Sequence, residues 1–186
     1  MNHDNTALLV MDVQNAIVGM LDEKEKLINP LQKSIEAARH HSIPVIYVTV
    51  GFRKGYPEVS TNNKSFGQIK NSDMNFDTKE ARTVYEAVAP KDGDIVVTKR
   101  RVSAFTGSDL DVILRSQQIN HLVLTGIATS GVVLSTVREA ADKDYALTVL
   151  SDCCADRDEE VHRVLTNKVF PGQADVLSAE EWSSSL

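Results

Sequence analysis

Ala7-Leu8-Leu9-Val10-Met11 is a run of five apolar residues closed by Asp12. A compact apolar run without alternation is the pattern of a strand buried on both faces, as in a parallel sheet covered by helices. The rest of the chain repeats the theme. Residues 22–41 place Leu27, Ile28, Leu31, Ile35 and Ala38 at helical spacing. Pro44-Val45-Ile46-Tyr47-Val48-Thr49-Val50 is β-branched and strand-like. Residues 51–75 are rich in Gly, Asn, Ser and Lys and read as a long irregular excursion, a kind of loop that tends to be a lid or binding segment. A helix over 78–89, a strand over 94–98, a helix capped by Ser108 and reaching about Gln118, and a strand over 121–125 follow. A helix over 131–143, a strand over 145–150, a helix through 161–165 and a weaker strand over 174–177 complete the alternation. Ser178 with Glu181 has the spacing of a capping box for a terminal helix. The pattern predicts a single domain over 1–186: a three-layer α/β/α fold on a six-stranded, mostly parallel sheet.

Composition agrees with a globular chain. Of 186 residues, 42% are hydrophobic and 25% charged, and the net charge is −6. An acidic chain whose one basic cluster is Lys99-Arg100-Arg101 lacks the basic stripe that phosphate binding needs, so no nucleic-acid partner is expected. Met1-Asn2-His3-Asp4 does not start a secretory leader, no apolar run approaches membrane-spanning length, and a cytoplasmic location is expected. The two cysteines, Cys153 and Cys154, are neighbours, which disfavours a disulfide between them and fits a reducing compartment. No metal-type Cys/His spacing is present, and His40, His41, His121 and His162 read as surface residues; neither metal nor cofactor is expected.

In open parallel sheets, ligands bind beyond the carboxyl ends of the strands. The residues there are Asp12 and Gln14, then Gly51-Phe52-Arg53, Lys99-Arg100-Arg101 with Ser103-Ala104-Phe105, Gly126 to Val132, and Asp152-Cys153-Cys154. A carboxylate directly after five apolar residues is costly unless paired or functional. Asp12 and Lys99 together form either an acid/base couple or a structural salt bridge. The small residues after the fourth strand lead into a helix N-terminus suited to an anion or oxyanion. Gln14, Arg53, Phe105 and Thr129 are the candidate substrate-binding residues, with Arg53, Arg100 or Arg101 able to hold a carboxylate.

Four segments, in order, resemble the isochorismatase-like hydrolases, also called cysteine hydrolases. They are LLVMDVQN (8–15), Thr98-Lys99-Arg100-Arg101-Val102-Ser103-Ala104-Phe105, TGIATSGVVLSTVREA (125–140) and LTVLSDCCAD (147–156). The resemblance implies that Asp12 is the acid or base, Lys99 its charge partner, and the N–H groups of Ala128 and Val132 the oxyanion hole. It also implies a cis peptide at Ile127-Ala128 and a homodimer or larger assembly. Amidase members have a nucleophilic Cys in a Gly-Val-Ala-Thr-x-x-Cys-Val pattern; here Val132 stands at that place. True isochorismatases also lack the thiol and use the Asp to protonate a vinyl ether. The Asp-x-His metal motif of nicotinamidase-type members is absent after the second strand. Cys154 matches a cysteine that members with an intact nucleophile also carry, which implies a structural role. The chain therefore resembles an amidase-branch scaffold without its thiol. The implied function is non-covalent hydrolysis of a small carboxylate- or amide-bearing metabolite; the alternative is an inactive member that binds a small molecule or serves assembly.

Overall fold

The protein was analysed as a computed structural model, which describes residues 5–72 and 75–186. Met1–Asp4, read above for a leader, and Asp73–Met74, within the expected excursion, lie outside the described residues. Among the described residues, six strands form one parallel sheet: β1 Thr6–Met11, β2 Val45–Val50, β3 Ile95–Lys99, β4 His121–Ile127, β5 Ala146–Ala155 and β6 Asp175–Leu177. Their order is β3-β2-β1-β4-β5-β6. The chain thus winds outward from β1 to β3, then crosses back to lay β4 on the other side of β1. Such a reversal opens a crevice at the strand ends between β1 and β4, where ligands of this architecture bind.

Among the described residues, eight α-helices connect and cover the strands: α1 Asn15–Val18, α2 Glu25–His40, α3 Lys64–Lys70, α4 Lys79–Arg82, α5 Leu110–Ser116, α6 Leu134–Asp142, α7 Glu159–Val164 and α8 Ala179–Ser184. The strand period of two sends alternate residues of β1 to opposite faces. Ala7, Leu9 and Met11 enter one core cluster with Leu110, Val137 and Phe170, while Leu8 and Val10 enter another with Leu31, Ile35 and Trp182. All six residues of β1 are buried, so the run that opened the sequence is the central strand. Ser178 and Glu181 form the capping box of α8.

Several elements depart from the sequence expectation. The excursion over 51–75 contains a helix, α3, with Asn63 accepting from the Phe66 N–H at its N-terminus. The helix expected over 78–89 is split into α4 and a single tight turn at Glu86–Val88. The break falls where the backbone pairs with the segment after β1: Asn15 N–H donates to Thr83 O at 3.1 Å, and Gln14 bridges Val84. Ser108 lies one residue ahead of the α5 cap, Asp109, and its hydroxyl accepts from the Leu110 N–H. A wide turn, Thr129–Val133, precedes α6, with Gly131 outside helical geometry, so the helix does not start at Gly131.

The largest difference is in β5. Leu124 pairs with Val149 but Gly126 with Cys154, so β5 carries extra residues in a bulge and runs on to Ala155. Asp152, Cys153 and Cys154 are therefore inside the strand, and Asp156 and Arg157 are the residues that follow it. Bulges re-aim side chains next to sites, and this one changes which residues reach the sheet's functional edge.

Candidate active site

Asp12 leaves β1 with φ of 57°. A single left-handed residue of this kind is uncommon, though Asp tolerates it better than most. Its N–H remains tied to Val48 O at 2.8 Å, so the turn is anchored to β2. Lys99 ends β3, opposite Val50 of β2. Two interstrand spacings, about 10 Å, separate β3 from β1, and the Lys99 side chain bridges them across the end of β2. Its ammonium lies 2.9 Å from Asp12 Oδ2 and donates to Arg101 O, also at 2.9 Å.

Both charges are almost dry: Lys99 is 2% and Asp12 6% exposed. Burial pushes the Asp12 carboxyl up from its ordinary range, and the Lys99 charge and hydrogen bond oppose that shift. The second carboxylate oxygen, Oδ1, is buried and finds no hydrogen-bond partner among the described residues. A buried acceptor left unsatisfied costs roughly 1–3 kcal/mol, more when charged. The residue that carries it lines a cavity.

That cavity, of about 530 Å³, is lined by Asp12, Lys99, Ala128, Ser130, Gly131 and Val132 among others. Its β4 side depends on Gly126, whose φ is 137° and where a Cβ would stand 2.0 Å from Met11 O. Only glycine lets β4 close on β1 at that point. Beyond it the Ile127-Ala128 peptide is cis. Asp156 Oδ2 accepts from the Ser130 N–H at 2.7 Å, and Thr129 Oγ1 meets His162 Nδ1 at 2.8 Å, so the turn is held from the residue just after β5 and from α7. A larger groove, about 770 Å³, adjoins on the α7 side and shares Met20, Leu21, Asp156 and Arg157 with the cavity, but contains neither Asp12 nor Lys99.

Asp12, Lys99, Ala128 and Val132 thus come together, whereas the four candidate substrate-binding residues do not line this cavity. Gln14 is fully buried: its amide donates to Val50 O and Ala81 O and accepts from the Val50 N–H, clamping the end of β2 to α4. Arg53 is exposed and pairs with Glu58. Arg100 pairs with the same carboxylate, and Arg101 donates to the Glu58 carbonyl, so all three arginines converge on Glu58 and none lines the cavity. Phe105 packs in the core against Tyr145, with ring centroids 6.0 Å apart. Thr129 is fully buried under its bond to His162. His162 is accordingly not a free surface residue, and His121, bonded to Thr148, is not one either.

Arg157, absent from the sequence-based set, lines the cavity, makes no ion pair among the described residues, and touches Met20 Sδ at 2.6 Å. The strand-end rule points to Arg157 as soon as β5 is drawn to its full length.

Comparison with known proteins bears on this geometry. The profile of the Isochorismatase domain matches residues 6–181. The chain belongs to the isochorismatase family. It is 31% identical to the isochorismatase family protein YwoC of Bacillus subtilis (strain 168), over 95% of this chain and 92% of that one. It is 34% identical to the ureidoacrylate amidohydrolase RutB of Stutzerimonas stutzeri (strain A1501), over 82% of this chain and 70% of that one. The crystal structure of an isochorismatase family protein from Burkholderia thailandensis superposes with a TM-score of 0.87 at 29% identity, covering 100% of this chain and 97% of the other.

Neither cysteine of this isochorismatase-family chain lines the Asp12–Lys99 cavity. Cys153 is buried among α2 residues, its Sγ 3.5 Å from Ser34 Oγ, and desolvation drives its thiol far up. Cys154 belongs to the opposite core face, and burial pushes its thiol to about 12. Buried thiols of this kind are inert small hydrophobes rather than nucleophiles. Among the described residues no helix is long and apolar enough to cross a membrane.

Proposed function

We propose that this chain is a hydrolase that cleaves an amide-type C–N bond of a small carboxylate-bearing molecule by direct attack of water, with Asp12 carrying the proton and no covalent enzyme intermediate. The single observation behind the reading is the divided state of Asp12. One oxygen is held by Lys99 at 2.9 Å, the other is buried without a hydrogen-bond partner among the described residues, and the residue lines the cavity. The free oxygen can accept a proton from water as the water oxygen bonds to the carbonyl carbon. The resulting oxyanion falls to the N–H groups of Ala128 and Val132, whose residues line the cavity. Collapse breaks the C–N bond, and the proton on Asp12 passes to the leaving nitrogen. A carboxyl raised by burial and lowered by a cation is suited to both halves of that transfer.

Val132 occupies the place the family resemblance assigns to the thiol, so the route is non-covalent on this reading. Arg157 is the cation available at the rim for a substrate carboxylate. The amidohydrolase name of a relative favours C–N over vinyl-ether C–O cleavage. A second reading, a binding protein without turnover, is favoured by the valine at that place.

Turnover of a panel of ureido and carbamoyl acids and carboxylated vinyl ethers separates these readings. Asp12→Asn is expected to lower kcat by about 10²–10⁴-fold on whichever substrate the wild type cleaves. Unchanged turnover in Asp12→Asn would refute the mechanism. No turnover by the wild type, with ligand binding intact and amidase activity appearing in Val132→Cys, would favour the binding protein.

A further inference from the structure

The cavity has a polar floor and an apolar wall. Ile17 and Leu21, from α1 and the stretch after it, line it together with Phe66 and Ile69 of α3, Phe76 and Val102, beside the polar Ser65, Gln68 and Ser72. The wall has a core of its own. Phe66 meets Phe52 edge-on with ring centroids 5.4 Å apart. With Val50, Tyr56, Phe76 and Ala81 they form a cluster separate from the two that flank the sheet, and Ile17, Ile69 and Val102 pack against it. Phe66 and Ile69 are three apart, which places both on one side of α3. The wall is therefore built before any ligand arrives, and a preformed surface spends little of the binding energy on ordering.

A compact polar amide has nothing to set against these six side chains. Its hydrogen-bonding groups can be satisfied at Asp12, Lys99 and Arg157, but the surface between them would stay wet. We infer that the substrate carries an aryl or branched alkyl body between its hydrolysable amide and its anionic end, and that the α3 wall selects for it. The amide end rests on the hydrolase reading above; the apolar contact is a property of binding and is tested without turnover.

N-carbamoyl-L-phenylalanine and N-carbamoylglycine share every polar group and differ by one benzyl substituent. Calorimetric titration of both into the Asp12→Asn chain reads the wall directly. The phenylalanine derivative is expected to bind about 10- to 100-fold tighter. Ile69→Ser and Leu21→Ser, both at half-buried positions, should each cut that ratio about fivefold while leaving N-carbamoylglycine within about twofold. Equal affinities, binding of neither ligand, or parallel loss of both in the wall variants would overturn the inference. A preserved ratio in a chain whose wild type hydrolyses no amide would leave it standing and remove only the hydrolase reading.

Discussion

The floor and the wall of the cavity are held by different parts of the molecule. Asp12, Lys99 and the Ile127–Val132 turn are strand-end features, fixed by a sheet whose central strand is wholly buried. Phe66, Ile69 and Phe76 belong to a stretch of short helix and turns with a small separate core. On the proposed reading, chemistry anchored to the sheet responds to mutation alike for every substrate. Selectivity anchored to an appended piece, as inferred for the α3 wall, can change without disturbing the proposed acid/base groups. That division is the physical form of function carried by loops on a rigid scaffold.

The division breaks if floor variants alter selectivity or wall variants alter kcat alone. The largest effect is expected from Asp12→Asn: a drop of about 10²–10⁴-fold in kcat, with the ratio between two substrates preserved. Steady-state kinetics on a substrate pair checks both.

Lys99→Met comes next. Removing one partner of a buried pair costs about 3–5 kcal/mol of stability, read by urea unfolding at neutral pH. Its pH dependence has a definite sign. Burial raises the Asp12 carboxyl above its ordinary 3.8 and Lys99 holds it down, so removing the cation moves it further up. A carboxyl raised in the folded state contributes stability that is present below its unfolded value and lost as pH rises through the folded one. The deficit of Lys99→Met should therefore shrink in acid, and any pH–rate limb set by Asp12 should move to higher pH.

A smaller effect, about fivefold and confined to ligands with an apolar body, is expected from Ile69→Ser. The smallest concerns the thiols. With Cys154 near 12 and Cys153 higher still, neither should react with iodoacetamide in the native chain at pH 8, whereas unfolding should expose both; intact-mass spectrometry counts the adducts.

The floor was legible in the sequence and the wall was not. Asp12 and Lys99 each interrupt or end an apolar run, and a charge in that position is expensive enough to stand out. The long helix α2 shows five apolar residues in register. By contrast α3, Lys-Ser-Phe-Gly-Gln-Ile-Lys, is barely two turns long and contains a glycine, too little for periodicity to register. Gln14 follows the first strand as a substrate contact would, yet its amide is used entirely on backbone groups of distant residues. Pairing across 36 and 67 residues leaves no local trace. The β5 bulge hides Arg157: a strand ended at Leu150 puts Asp152 at the edge, whereas its carboxylate accepts from the Ala179 N–H at the start of α8.

The most direct test of hydrolysis by the Asp12–Lys99 pair is turnover by a cysteine-free chain, Cys153→Ala with Cys154→Ala, with and without Asp12→Asn, on the best amide substrate of the wild type. Neither thiol reaches the cavity, so the cysteine-free chain should keep wild-type kcat within about twofold, and adding Asp12→Asn should remove about 10²-fold or more. Loss of turnover on removing the cysteines, or its survival without the Asp12 carboxylate, would contradict the mechanism.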